Sequence, residues 1–236
     1  MSIEPTFPPL LSGVESDVGT PAFEKALMMA ARGCDGGTIV YRVTKNEVAA
    51  TFIFAPDVVL VKSLAMFPLC GVGLQNALGA LAPPEVAVQL EWDGQIRINA
   101  AKCGRFQMAA SDSKRDHVPD WLVVGFSLPL WLEVDDPGRT PDQTSLYEEG
   151  CADIDPFQLI ESWSRHSLVW INSWEQDGVP SLHREWRGMA YDMGEDITLE
   201  GTRGKFVGVD EDFGLLLRKE ETTKLYPLSK LLKDIS

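Results

Sequence analysis

The sequence is short of positive charge: 21 lysine and arginine residues face 35 aspartate and glutamate residues, a formal net charge of −14. A field of that sign repels phosphate backbones and anionic lipid at long range, so neither nucleic acid nor a membrane surface is an expected partner. Cysteine is scarce too. Cys34, Cys70, Cys103 and Cys151 stand far apart with no Cys-x-x-Cys pair, which argues against both a zinc site and a disulfide framework. His117, His166 and His183 show no ligand spacing, so no metal site is expected, and Asp210-Glu211-Asp212 lacks the alternating loop of a calcium site and reads as a turn. The segment MSIEPTFPPLL has no basic stretch leading into an apolar one. No apolar run is expected to reach the roughly 18 to 20 residues that span a bilayer. These gaps leave a cytoplasmic protein as the expectation. With 236 residues and 44% hydrophobic content, the chain has room for one sizeable domain and a small one.

What is present reads as α+β. Residues 1–19, rich in Pro, Gly and acidic side chains, suggest an extended surface arm. Thr20-Pro21 resembles an N-cap followed by proline at the first helical position, and Phe23, Ala26, Leu27 and Ala30 share one face of the helix that follows. Strands are expected at Thr38–Val43 and Val48–Phe54 around a turn at Lys45-Asn46, then a helix over Leu64–Leu81 with Pro68 near its first turn. Further strands cover Arg105–Ala109 and Trp121–Leu130. An acidic connection, Glu133–Asp155, is long enough to serve as a lid or a mobile loop. Asp155-Pro156 opens a helix with a stripe of Phe157, Ile160, Leu168, Ile171 and Trp174, and Trp163 and Trp170 on its flank. A short helix over Ser181–Tyr191 follows, and from Asp196 short alternating strands suggest a small barrel. The expected division is 1–180 and 181–236.

The most informative stretch is Val88–Phe106, VQLEWDGQIRINAAKCGRF. Val88, Leu90 and Trp92 alternate toward a core, Asp93-Gly94 marks a two-residue turn, and Ile96 and Ile98 resume the alternation on the way back. Lys102 follows ten positions after Trp92 and just before Gly104, where a glycine lets backbone approach a ligand. This tryptophan-to-lysine-glycine spacing resembles the central motif of biotin and lipoate protein ligases. Val123-Val124-Gly125-Phe126 resembles the next core strand of that family, and Gly204–Leu217 is similar to the small C-terminal barrel of biotin ligases.

The resemblance implies a mixed sheet with helices, of the class II synthetase and biotin ligase type, plus a small SH3-like β-barrel. It implies an acid such as biotin or a lipoyl-type acid as ligand and ATP with Mg as cofactors. An acyl-adenylate would form and its acyl group would pass to a lysine of a carrier-domain protein. Lys102 then supplies positive charge where the carboxylate meets the α-phosphate, and Trp92, Arg42, Lys45, Gly104 and Gly125 line the ligand site. The chain departs from the family in three places. Asp93-Gly94-Gln95 replaces the family's Pro-Asn-Asp, Pro129 stands for an asparagine, and Tyr41–Asn46 replaces an arginine- and glycine-rich phosphate loop. A tight turn cannot present successive backbone N–H groups to phosphate. Three readings follow: a ligase; the same fold kept as a binding or interaction module without ATP chemistry; and an acyltransferase using Cys151 as nucleophile. A free strand edge would also allow a homodimer.

Overall fold

Eight apolar-rich residues, Glu47–Phe54, form the third of seven strands in a mixed sheet, and they are buried on both faces except at the ends. The computed structural model describes residues 4–132 and 142–234. The strands are β1 (Ser12–Glu15), β2 (Thr38–Val43), β3 (Glu47–Phe54), β4 (Val88–Leu90), β5 (Gln95–Ile98), β6 (Ala101–Ala110) and β7 (Leu122–Pro129), in spatial order β1-β2-β3-β7-β6-β5-β4. β1 runs parallel to β2 and every other pairing is antiparallel. The segment expected to be an extended surface arm supplies an edge strand. Its Ser-Gly-Val-Glu carries too little apolar alternation to announce this, and the strand is held by Phe7 packed over Gly13.

Helices α2 (Leu60–Ser63), α3 (Met66–Leu81), α4 (Pro156–Asp177) and α5 (Pro180–Met189) pack on one face of the sheet. α3 is buried on nearly every side, as expected of a helix held between a sheet and other helices. Leu60–Leu81 together is long and apolar enough to cross a membrane, contrary to the expectation from sequence, and 72% of its most apolar window is buried inside the protein. On α4 the expected stripe forms, but Trp163 lies at the core's centre and not on a flank. Its ring packs 4.9 Å from Phe52 and 4.8 Å from Phe126, and its indole N–H donates to the Cys70 carbonyl at 3.0 Å. The Asp155 side chain caps α4 by accepting from Phe157 N at 2.8 Å.

The opposite face is covered only at one end. There α1 (Ala22–Ala31), entered from Pro21 and not from a Thr20 side-chain cap, lays Ala22, Phe23, Ala26 and Ala30 on Val40, Ile53, Ala109 and Val123. The other end, around Ser127 and Arg105, stays open. From Asp196 the chain makes a four-stranded antiparallel sheet, β8 (Asp196–Leu199), β9 (Thr202–Val209), β10 (Leu215–Lys219) and β11 (Thr222–Tyr226), the strand content of a small barrel-like domain. Of the acidic connection Glu133–Asp155, whose length allows a lid, a mobile loop or a simple excursion, residues 133–141 lie outside the described residues.

Candidate functional site

The sequence VQLEWDGQIRI folds as the hairpin foreseen, but the loop has three residues, Trp92-Asp93-Gly94, closed by a Glu91 N to Gln95 O bond of 2.9 Å. Gly94 sits at φ 94°, where a three-residue loop calls for glycine. Trp92 is buried and its Nε1 donates to the Phe213 carbonyl at 2.8 Å, so the indole bolts the hairpin to the C-terminal sheet. It lines a hollow shared with β8 residues and Tyr191, and Lys102 is not part of that hollow.

Lys102 owes its position to a β-bulge. Arg97 pairs with Lys102 and Gln95 pairs with Arg105, so one extra residue is accommodated around Gly104, whose φ is 96°. Residues three apart on a regular strand point to opposite faces. The bulge breaks that rule: Cys103 and Phe106 both point into the core, and Lys102 and Arg105 both face outward. Glycine is required here twice over, by its φ and because a Cβ would come within 2.1 Å of the Ser127 carbonyl oxygen.

Strand register then aligns Arg42, Ala49, Ser127, Arg105 and Gln95 in one row across β2, β3, β7, β6 and β5. Two hollows open along this row and meet at Arg105. One, about 240 Å³, is lined by Gln95, Lys102, Gly104, Arg105, Pro129 and Thr144 among others. The second, about 290 Å³, lies between α1 and the sheet and is lined by Glu47, Arg105, Gln107, Gly125, Ser127 and Lys233 among others. Gly125 forms part of that floor, and a Cβ on it would meet Thr51 Oγ1 at 2.2 Å. Lys233 arrives from the C-terminal segment, which is held on β6 by a Lys233 N to Met108 O bond of 2.9 Å, and its ammonium pairs with Glu24.

Most of the cations are already engaged. Lys102 Nζ lies 2.9 Å from Asp142 Oδ2, and this ammonium holds the Asp142 carboxyl below the usual carboxylate range through their hydrogen bond and, next, their charges. The Asp142–Thr144 segment is pinned to the same strand by Lys102 N to Asp142 O (2.8 Å) and Thr144 N to Lys102 O (2.9 Å). Arg42 stands 3.8 Å from Glu47, whose other oxygen accepts from Ser127 Oγ at 2.5 Å. Lys45 is exposed at the tip of the β2–β3 turn and lines neither hollow. Arg105 differs: it is exposed, and no described carboxylate pairs with it.

The β2–β3 turn, which stands where the family has its phosphate loop, offers no backbone cradle to a nucleoside triphosphate. In the β2–β3 turn the N–H groups of Asn46 and Glu47 both donate to Thr44 Oγ1, at 3.3 and 3.1 Å, and Thr44 N donates to Glu47 O, leaving no cradle of free amides. Among the described residues no group of three or more His, Cys, Asp or Glu side chains is placed to hold a metal. The Cys151 nucleophile also fails: its thiol is fully buried, lines neither hollow, and is pushed up by that burial and then by Glu149, which makes it inert.

Sequence reasoning missed Arg105 as a site residue. The signal was there in Cys103-Gly104-Arg105-Phe106, where two non-apolar residues between two apolar ones interrupt the alternation at a glycine. Asp142 and Lys233 carried no such signal, because only tertiary folding brings them to β6.

The architecture is thus a mixed sheet carrying a bulged strand, a glycine-floored hollow and an outward lysine beside it. The chain belongs to the biotin/lipoate A/B protein ligase family, whose model matches residues 7–188; residues 193–234 match a second model described as a domain of unknown function (DUF4444). It is similar to a biotin protein ligase-like protein of unknown function from Silicibacter sp. tm1040, with 53% identity, a TM-score of 0.93, and coverage of 98% of this chain and 100% of the other. The biotin protein ligase from Aquifex aeolicus in complex with biotin and ATP shares the fold at 18% identity and a TM-score of 0.72, covering 92% of this chain and 95% of that one. The biotin protein ligase from Leishmania major in complex with biotinyl-5-AMP does so at 17% identity and 0.58, covering 92% and 98%. No curated protein matches the chain.

Proposed function

We propose that this protein binds a small carboxylic acid in the paired hollows at Arg105 and does not activate it with ATP. The observation that carries the reading is the contrast along one row of the sheet. Arg105 is uncommitted among the described residues, whereas Arg42 faces Glu47, Lys102 is held by Asp142, and the turn that would have to wrap phosphates has its amides occupied. A guanidinium presents a fork of donors that matches a carboxylate, and it does so with no need for a metal. The acid is of the biotin or lipoyl type: structures of the same fold hold biotin, and the family's description names both biotin and lipoate.

The test is pyrophosphate exchange. With labelled pyrophosphate, MgATP and a panel of biotin, lipoate and octanoate, no acid elicits exchange, while at least one raises the melting temperature of the wild type and not of Arg105→Gln. Acid-dependent exchange would return the protein to the active ligases. That second reading is favoured by Lys102 standing at the hollow's edge with its side chain 39% exposed, from where it would serve the carboxylate once Asp142 let go. In that case a carrier-domain lysine is the acceptor.

A further inference from the structure

A hollow with a mostly apolar lining lies on the other face of the sheet from Arg105. It has a volume of about 300 Å³ and is bounded by Gly36-Gly37 ahead of β2, the end of β3, the second half of α4, and the Leu10-Leu11 turn. Leu168, Ile171 and Glu175 follow one another at helical spacing along its α4 wall, with Trp174 beside them. Phe52 and Phe54 form the β3 wall, with rings stacked at 5.2 Å and 21°. Leu10 stands at the lip, 88% exposed and at φ 78°, an unusual state for a large apolar residue beside open water.

The charges at this hollow all have one sign. Asp57 and Glu175 line it, no lysine, arginine or histidine does, and no described group forms an ion pair with either carboxylate. Volume and apolar lining match a small-ligand site in which a few polar groups set orientation. Two carboxylates without an ion-pair partner among the described residues favour a cation over an anion, and so does the protein's net charge of −14.

We propose that this hollow is a second binding site, for a small organic ammonium compound with an apolar body. The ammonium sits between Asp57 and Glu175 at the rim, and the alkyl or aryl part lies between Phe54, Trp174 and Ile171 and covers Leu10. The two hollows then differ in sign, one selecting an anion through Arg105 and the other a cation, and this inference does not depend on the first.

The experiment is calorimetric titration of the whole protein with hexylamine, hexanol and hexanoate, which share a body and differ in charge. Hexylamine is expected to bind about two- to fivefold more tightly than hexanol, the gain typical of a solvent-exposed ion pair, with hexanoate weakest. Asp57→Asn/Glu175→Gln should bring hexylamine down to the affinity of hexanol and leave hexanol unchanged. Glu220→Gln/Glu221→Gln, which removes the same charge elsewhere, should leave the preference for amine intact. Amide and indole NMR shifts on adding hexylamine should centre on Trp174 and Ile171. Equal affinity for amine and alcohol, stronger binding of hexanoate, no binding of any probe, or shifts centred elsewhere would each overturn the proposal.

Discussion

Gly104 is the residue on which the site's geometry turns. Its φ of 96° makes the bulge, and the bulge turns Lys102 and Arg105 to one face. In Gly104→Ala a Cβ meets the Ser127 carbonyl in a backbone conformation that disfavours L side chains. The expected loss is about 2–3 kcal/mol, read from the urea midpoint, and it comes with weaker acid binding because Arg105 is displaced. Arg105→Gln should abolish the acid-induced rise in melting temperature without lowering the melting temperature of the free protein by more than a few degrees, as expected for an exposed side chain. Asp142 gives a pH signature. Its carboxyl is held below its ordinary value by Lys102, so its contribution to stability is present above the ordinary aspartate pKa near 4 and is lost as pH falls through the lowered value. Comparing urea midpoints of wild type and Asp142→Asn between neutral and acid pH should show the two curves converging in acid. Curves that stay parallel would contradict the pairing.

At the scale of elements, the hairpin, the core strands and the long helices were legible because their patterns are local. β3 and β7 are continuous apolar runs, Pro156 follows its capping Asp155, and Asp210 organises its turn by accepting from Asp212 N and Gly214 N. β1 was not legible, since a four-residue parallel edge strand is defined by its neighbour β2 and hardly at all by its own residues. The hydrogen-bond partner of Trp92 was not legible for a related reason. Alternation places its indole on the buried side but cannot say what buries it, and the partner is a carbonyl 121 residues away. Trp92→Phe keeps most of the apolar contact and strands the Phe213 carbonyl. About 1–2 kcal/mol of stability should be lost, measured by chemical denaturation, with acid binding at Arg105 unchanged. A loss of acid binding in Trp92→Phe would restore the indole to the ligand site.

For the molecule as a whole, the C-terminal sheet is more than an appendage. The Asp210–Gly214 turn is tied to the rest of the protein by Lys62 Nζ to Asp212 Oδ1 at 2.7 Å, Arg115 Nη2 to Asp212 Oδ2 at 3.8 Å, Trp92 Nε1 to the Phe213 carbonyl, and His183 Nε2 to the Asp210 carbonyl at 3.1 Å. From the same sheet the chain runs back to β6, where Lys233 joins the hollow at Arg105. The family's fold is thus retained, and on the proposed reading the acid meets the Arg105 guanidinium, which has no ion-pair partner among the described residues, while the β2–β3 turn keeps its amides occupied. The measurement that bears most directly on this is calorimetric titration of the wild type with the acid that most raises its melting temperature, with and without saturating MgATP. The account predicts the same affinity in both titrations and no pyrophosphate released. An affinity that rises with MgATP, together with pyrophosphate release that depends on the acid, would contradict it.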